Sequence, residues 1–257
     1  MTTIVAFIGP AGSGKTSLVK AFGEWIKENL YLNAALVNLD PGVEKLPYKP
    51  VFDIRKLFTL RDVMWKYNLG PNGAFIKASE LIAENIDEIM ENEPFSNVSS
   101  WDMILVDTPG QMEAFIFRPS SNVFFNKLLK KGFVLGVYII DASAVTSMTD
   151  AIVLWFLGIL AQVKLGIQTI PVINKVDIAK NIEYVKTLIE RPDEVLELIK
   201  RSSKEGLISD LAPELAGLVV KTQQALRPVL ISANKRTGLD ELYYLIHEAF
   251  CACGDLT

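Results

Sequence analysis

Residues 9–16, with the sequence Gly-Pro-Ala-Gly-Ser-Gly-Lys-Thr, have the residue types and the spacing of a loop that binds phosphate groups. They follow the apolar residues 4–8, which are typical of a buried strand, and Lys15 begins a stretch that is typical of a helix. Glycines let backbone N–H groups approach phosphate oxygens, and the start of a helix adds partial positive charge. The residues predicted to surround the phosphates of a nucleotide are Gly12, Ser13, Gly14, Lys15, Thr16 and Ser17.

Two side chains of this loop and two later carboxylates are candidates for the chemistry of those phosphates. Lys15 is predicted to reach the β- and γ-phosphates, and the Thr16 hydroxyl is predicted to bind Mg²⁺. Asp40 and Asp107 each follow an apolar run that is typical of a strand. Because the carboxyl ends of parallel strands meet at one edge of a sheet, both carboxylates are predicted to support the Mg²⁺ ion, directly or through water.

The residues that follow Asp107 are candidates for the hydrolytic step. The backbone N–H of Gly110 could meet a γ-phosphate, and loss of that phosphate would then release the loop, as in a nucleotide switch. Gln111 and Glu113 come next, and either side chain could orient the attacking water.

Asn174-Lys175-Val176-Asp177, after the apolar residues 169–173, looks like the guanine-reading motif of GTPases. A carboxylate at Asp177 would accept hydrogen bonds from N1–H and the exocyclic amine of guanine, which adenine does not offer in that arrangement. The stem of Lys175 could pack on the base. Ser232-Ala233-Asn234 resembles the companion loop, whose backbone contacts the guanine carbonyl oxygen.

The order of apolar and amphipathic segments predicts an α/β fold, with a mostly parallel sheet and helices on both faces. Residues 43–60 have weak periodicity and predict a mobile loop with a little helix, whereas Gly70-Pro71-Asn72-Gly73 predicts a turn. The predicted strands are 4–8, 34–39, 101–106, 133–140, 169–173 and 228–231, and the predicted helices are 15–30, 61–68, 75–91, 120–131, 149–164 and 239–251, with several more in 180–226.

Length and composition restrict the class of protein. The chain has 257 residues, half of them hydrophobic, and a net charge of -4, so nucleic acid is not expected as its main partner. Cys251 and Cys253 cannot form a disulfide framework, and no signal peptide precedes residue 4, so a cytoplasmic protein is expected. The longest apolar run, residues 151–161, is too short to span a bilayer and predicts a buried helix or a dimer contact.

Taken together, these motifs resemble those of the GPN-loop GTPases, a family of P-loop GTPases. The resemblance rests on Gly70-Pro71-Asn72 between Asp40-Pro41 and the run from Asp107 to Glu113, and it covers nearly the whole chain. It implies one P-loop GTPase domain over residues 1–257, with a GPN-loop insertion at about 43–95 and a helical insertion at about 180–226. The chain has no long acidic tail, so it looks most like an archaeal member.

The resemblance further implies that this protein is a homodimeric switch. In the family the GPN loop reaches into the partner's active site, so Asn72 would contact the phosphate or the attacking water in trans. An amide can hold both, because it has a donor and an acceptor. The apolar helices near residues 120–165 are then candidates for the dimer contact. Eukaryotic relatives are linked to RNA polymerase assembly, which implies a protein client.

Two other functions stay open from the sequence. An ATP-dependent kinase of a nucleic-acid end or small molecule would have the same phosphate loop, but it would prefer adenine, contrary to Asn174 and Asp177. A non-catalytic assembly scaffold would bind GTP and turn it over too slowly to matter.

Overall fold

A computed structural model describes residues 2–202 and 211–254. Its strands form one sheet in which all neighbouring strands are parallel, in the spatial order β3–β2–β4–β1–β5–β6–β7. The strands are β1 (Thr3–Ile8), β2 (Ala34–Asn38), β3 (Phe52–Asp53), β4 (Met103–Asp107), β5 (Phe133–Asp141), β6 (Thr169–Asn174) and β7 (Val229–Leu230). The predicted parallel sheet is therefore confirmed.

Helices cover both faces of this sheet, as the alternation of segments predicted. The α-helices of the described residues are α1 (Lys15–Leu30), α2 (Leu60–Tyr67), α3 (Pro71–Glu84), α4 (Ile86–Glu91), α5 (Met112–Phe115), α6 (Pro119–Leu129), α7 (Met148–Leu165), α8 (Ile182–Glu190), α9 (Val195–Ser202), α10 (Ala212–Ala225) and α11 (Leu239–Gly254).

Strand β1 lies at the centre of the sheet and is buried along its whole length. Ile4 and Ile8 belong to the core on one face, which also contains residues of α6 and α7. Val5 and Phe7 point to the other face, where α1 and α11 pack. Continuous burial of this kind is what a parallel strand between two helical layers requires, and it fixes the end of β1 from which the phosphate loop starts.

The insertion after β2 is more ordered than the sequence indicated. Residues 43–60 were predicted as a loop, but they contain the edge strand β3 and a short 3₁₀ turn at Ile54–Lys56. The prediction of a turn at Gly70-Pro71-Asn72-Gly73 is wrong, because α3 begins at Pro71 with Gly70 as its N-cap. Proline suits the first position of a helix, since its φ is already helical and its missing N–H needs no partner there.

One further segment differs from its predicted bounds, and another agrees with its prediction. The predicted helix 75–91 is two helices, α3 and α4, which are separated at Asn85. The segment 180–226 is helical where it is described, in α8, α9 and α10, and its residues 203–210 lie outside the described residues.

The apolar run 151–161 lies within α7, which is 18 residues long. Within the described part of the chain, α7 is the one helix with the length and composition to cross a membrane, because it extends beyond the apolar run at both ends. The helix packs against β5, α8 and α9, and its Trp155 is buried and donates a hydrogen bond to Thr222 Oγ1 at 2.9 Å.

Candidate nucleotide-binding site

The phosphate loop joins β1 to α1 at the carboxyl edge of the sheet. Gly12 and Gly14 have φ values of 77° and 95°, in the left-handed region that glycine adopts without strain. A β-carbon at Gly14 would lie 2.5 Å from Asn174 Nδ2, so this glycine also gives room for the second motif. Ser13 is buried, and its hydroxyl has no hydrogen-bond partner among the described residues.

Lys15 lies inside the loop with its ammonium group buried. Its Nζ donates to the carbonyl oxygens of Gly9 at 2.7 Å, Pro10 at 2.9 Å and Gly110 at 3.1 Å. Burial lowers the pKa of Lys15, while the charges of Asp107, Asp40 and Glu113 oppose that shift. The ammonium is therefore held between the phosphate loop and the loop after β4, where phosphate oxygens could replace the carbonyls as acceptors.

Asp107 ends β4 and is almost fully buried, with an exposed fraction of 1%. Its Oδ2 accepts a hydrogen bond from the Tyr48 hydroxyl at 3.0 Å, whereas Oδ1 has no hydrogen-bond partner among the described residues. Burial raises the pKa of Asp107 to about 7, although the hydroxyls of Thr16 and Tyr48 act in the opposite direction. A buried acceptor without a donor is costly unless something else fills its place.

Asp40 follows β2 and bridges two loops. Its Oδ1 accepts the backbone N–H of Gly42 at 2.8 Å, and the backbone N–H of Gly110 lies close enough to the carboxylate to lower its pKa. Burial raises the pKa of Asp40, and these two N–H groups partly offset it. In this arrangement the N–H predicted to sense a γ-phosphate lies beside a carboxylate.

The donor set fits Mg²⁺. Thr16, Asp40 and Asp107 supply hard oxygen atoms, and Oδ1 of Asp107 is a buried acceptor without a hydrogen-bond partner among the described residues. In proteins Mg²⁺ is commonly bound by one or two carboxylates together with substrate phosphates, rather than by a full cage of side chains.

The two candidate guanine loops lie together at the ends of β6 and β7. Asn174 is buried: its Nδ2 donates to the carbonyl oxygen of Ser13 at 3.0 Å, and its Oδ1 accepts the backbone N–H of Ala233 at 3.1 Å. The Ser232 hydroxyl donates to Asp177 Oδ1 at 2.7 Å. Asn174 thus joins the phosphate loop to the companion loop, and Ser232 orients the carboxylate of Asp177, which is exposed, as is Asn234.

Lys175 is held across the top of the phosphate loop. It has a φ of 64°, and its Nζ donates to the carbonyl oxygen of Gly12 at 2.7 Å and to Asp141 Oδ2 at 2.6 Å. Burial acts to raise the pKa of Asp141, but hydrogen bonds from Lys175 and Ser143 hold it below its usual value. The sequence places Asp141 at the end of a strand, and that signal could have identified it as the partner of Lys175.

Several contacts that support the site lie in residues 43–60, where the weak periodicity of the sequence gave no signal for them. Asp53 accepts a hydrogen bond from Asn38 Nδ2 at 2.9 Å and is bound through both carboxylate oxygens by Arg55. Arg55 Nη1 also donates to the carbonyl oxygens of Val43 at 3.0 Å and Glu44 at 3.2 Å. This network fixes the backbone that follows Asp40.

The candidates for positioning water differ in their exposure. Gln111 is half-buried and lies at the N-cap of α5, while Glu113 is exposed in the first turn of that helix and close enough to Lys15 to affect its pKa. Asn72 is exposed near the start of α3, and its side chain forms no hydrogen bond with the described residues. The ring of Phe75 in α3 lies against Gly42, beside the Asp40 loop.

Known proteins resemble the chain over nearly its whole length. A family model described as "Conserved hypothetical ATP binding protein" matches residues 7–252. The GPN-loop GTPase PAB0955 of Pyrococcus abyssi is 34% identical over 257 residues, which cover 99% of this chain and 100% of that protein. GPN-loop GTPase 1 of Dictyostelium discoideum is 29% identical over 241 residues, which cover 93% of this chain and 59% of that longer protein. The crystal structure of PAB0955 in its apo form matches with a TM-score of 0.83 at 30% identity, over 98% of each chain.

Proposed function

Since the chain belongs to the family of the GPN-loop GTPases, we propose that it binds GTP together with Mg²⁺ and hydrolyses the nucleotide to GDP and phosphate. The single observation that carries this proposal is the linked arrangement of the phosphate loop and the guanine loops. Asn174 hydrogen-bonds both loops, and Ser232 orients the carboxylate of Asp177.

The same arrangement argues for guanine over adenine, although the matching family model is described as ATP binding. Ser232 occupies Oδ1 of Asp177, which leaves Oδ2 and the remaining lone pairs to accept hydrogen bonds from a base. Guanine offers two adjacent donors, N1–H and the exocyclic amine, whereas adenine presents an acceptor at N1. Pairing an adenine acceptor with a carboxylate would leave both without a donor, which is costly in a closed site.

In the proposed reaction the chain binds the nucleotide and orients the water. The N–H groups of the phosphate loop and Lys15 bind the β- and γ-phosphates, while Gln111 and Glu113 orient the attacking water. When bound, Mg²⁺ supplies charge that neutralises the phosphate oxygens, and the residues that would hold it are Thr16, Asp40 and Asp107. Gly110 would exchange its contact with Asp40 for a hydrogen bond to the γ-phosphate, which gives the switch its two states.

We also propose that the active unit is a homodimer in which Asn72 acts in the partner's site. Asn72 is exposed and without side-chain hydrogen bonds to the described residues, so it is free to contact a second copy. Exposed apolar residues lie on α2 and on the candidate dimer helices α6 and α7, where water contact is unfavourable. They are Trp65 in α2, Val123 and Leu129 in α6, and Val153, Leu160 and Val163 in α7. A protein client, such as an RNA polymerase assembly intermediate, remains part of this proposal.

The test is a single-turnover assay with radiolabelled GTP in the presence of Mg²⁺. The proposal expects labelled phosphate to be released into water, and excess unlabelled ATP should not slow that release. Competition by ATP, with transfer of the label to an acceptor, would favour the kinase. Tight binding of GTP with hydrolysis no faster than in buffer would favour the scaffold.

A further inference from the structure

Tyr48 lies in the connection between β2 and β3, beside the proposed metal site. Its neighbours Pro47 and Lys49 are exposed, but Tyr48 is half-buried and packs against the core face that contains α1. Its hydroxyl donates to Asp107 Oδ2 at 3.0 Å. Within the described residues, no other side chain of residues 45–50 forms a hydrogen bond.

The hydrogen bond separates the two oxygens of the Asp107 carboxylate. Oδ2 has a donor, and Oδ1 is buried without one among the described residues. A carboxylate rotates about its bond to the β-carbon unless a neighbour fixes one oxygen, and a ligand that must bind a cation gains affinity when its orientation is fixed in advance. Tyr48 is placed to supply that restraint through Oδ2, which leaves Oδ1 without a partner among the described residues.

We propose that Tyr48 is a positioning residue for the metal-binding carboxylate: its hydroxyl fixes Asp107 so that Oδ1 is presented to the Mg²⁺ ion that accompanies the nucleotide. The proposal rests on the proposed function, because it takes Mg²⁺–GTP as the ligand. It also has a reciprocal consequence, since the same bond anchors residues 45–50 to the site.

The other hydrogen bonds that hold this segment in place are formed by the residues on either side of 45–50. Before them, Arg55 Nη1 binds the carbonyl oxygen of Glu44 at 3.2 Å, and after them, the backbone N–H of Val51 donates to the carbonyl oxygen of Leu36 at 2.7 Å. Loss of the Tyr48 hydroxyl is therefore expected to loosen residues 45–50. Trypsin can report this change at Lys45, since Lys49 precedes Pro50 and its peptide bond resists cleavage.

The experiment measures metal dependence without using turnover. A fluorescent, non-hydrolysable GTP analogue is titrated into the protein at a series of Mg²⁺ concentrations and in EDTA. In Tyr48→Phe, which keeps the ring, the Mg²⁺ concentration at half-maximal effect should rise about 10- to 100-fold, the range seen when an outer partner of a metal ligand is lost. Affinity in EDTA should stay unchanged, and cleavage after Lys45 should be faster.

Two variants serve as controls. Tyr243→Phe makes the same change on α11, where the ring packs against Trp25 and the hydroxyl has no hydrogen-bond partner among the described residues, and it should behave as the wild type. Tyr48→Leu removes the ring as well, so it should share the metal defect of Tyr48→Phe and also lose thermal stability.

The outcomes separate this proposal from the proposed function. A wild-type Mg²⁺ midpoint in Tyr48→Phe, or a metal defect in Tyr48→Leu alone, would overturn the positioning role while GTP binding stands. Failure of the wild-type protein to bind the GTP analogue with Mg²⁺ would overturn the proposed function and remove the premise for Tyr48.

Discussion

Base selection depends at the residue scale on the carboxylate of Asp177. Ser232 holds Oδ1 of that carboxylate by a 2.7 Å hydrogen bond and is itself fixed by accepting the backbone N–H of Lys235 at 3.0 Å. The orientation of Asp177 is thus set by protein contacts before the base arrives. A site prepared in this way discriminates by the donors and acceptors of the base rather than by its shape.

Asp177→Asn should therefore weaken GTP binding roughly 100-fold, because the amide presents a donor to the donor groups of guanine. The same variant should bind xanthosine triphosphate more tightly than the wild type does, since xanthine has a carbonyl oxygen where guanine has its amine. Equilibrium binding of GTP and of xanthosine triphosphate measures this change of preference. Asp193→Asn, at an exposed position, is the matched control and should alter neither affinity. Equal losses for both nucleotides in Asp177→Asn would contradict base reading by this residue.

The raised pKa of Asp107 should make the stability of the folded protein depend on pH. This pKa is raised to about 7 by burial, above the usual value of an unfolded aspartate. Between about pH 4 and 7 the unfolded chain has released this proton while the folded chain keeps it, so the nucleotide-free protein should lose stability as the pH rises through that window. The loss comes to about 2 kcal/mol between pH 5 and 7, because the slope is about 1.4 kcal/mol per unit and falls to half of that at the pKa of the folded state.

Asp107→Asn should remove this part of the pH dependence. Urea unfolding of both proteins in EDTA, at pH 5 and pH 8, measures the free energy of unfolding in each case. The wild type should lose more stability than the variant over this interval. Parallel changes in the two proteins would show that the carboxylate is ionised in the folded state throughout.

The sequence predicted the residues whose chemistry follows from a motif, and it missed those that hold them. Lys15, Asp107 and Asn174 could be named because phosphate and base recognition need these types at fixed spacing. Tyr48 acts through a contact with Asp107, which is 59 residues away, and Arg55 binds backbone carbonyl oxygens of a loop without periodicity, so no local pattern encodes either contact.

At the element scale, the turn between β1 and α1 is constrained by a neighbouring loop as well as by phosphate. Gly14 has a left-handed backbone, and its missing β-carbon leaves room for Asn174. Gly12 is also left-handed, but a β-carbon there would have nothing within 4 Å. Substitutions at the two glycines therefore allow the effect of backbone strain to be distinguished from the effect of packing against the guanine loops.

Gly14→Ala should weaken GTP binding on the order of 100-fold, since it adds strain of about 1 kcal/mol or more and displaces a buried, hydrogen-bonded amide. Gly12→Ala brings the same type of strain without the displacement, so its loss should be smaller. Calorimetric titration with GTP and ATP measures both effects, and Gly14→Ala should also lose part of its preference for GTP. Equal effects of the two variants would contradict the packing argument.

Strands and helices with a strong hydrophobic pattern could be predicted from the sequence. Very short strands, and helices that follow one another closely, could not. The strands on either side of β1 are apolar runs long enough to recognise, whereas β3 has two residues and depends on pairing with β2. The start of α3 resembles a turn in the sequence because glycine, proline and asparagine favour turns locally. Packing of α3 against α2, with Val63, Ala74 and Ala78 in a small core of their own, decides in favour of the helix.

At the scale of the whole molecule, the parallel sheet gathers the site by bringing the ends of its strands to one edge. The loops after β1, β2, β4 and β6 come from distant parts of the sequence, yet Lys15, Asp40, Asp107 and Asn174 are joined through one set of hydrogen bonds and charges. The exposed apolar residues of α2, α6 and α7 lie outside this network. In the proposed homodimer, these exposed faces are the candidates for contact with the second copy of the chain.

The most direct test mixes two slow variants, Asn72→Ala and Gln111→Ala, and measures hydrolysis of GTP by each alone and by the mixture. In a mixed dimer, the protomer with intact Gln111 receives intact Asn72 from its partner, so one of the two sites is complete. After subunit exchange the mixture should regain roughly a quarter of the wild-type rate, since half of the dimers are mixed and each has one complete site. No recovery in a mixture shown to exchange subunits, or a wild-type rate for Asn72→Ala alone, would contradict the account.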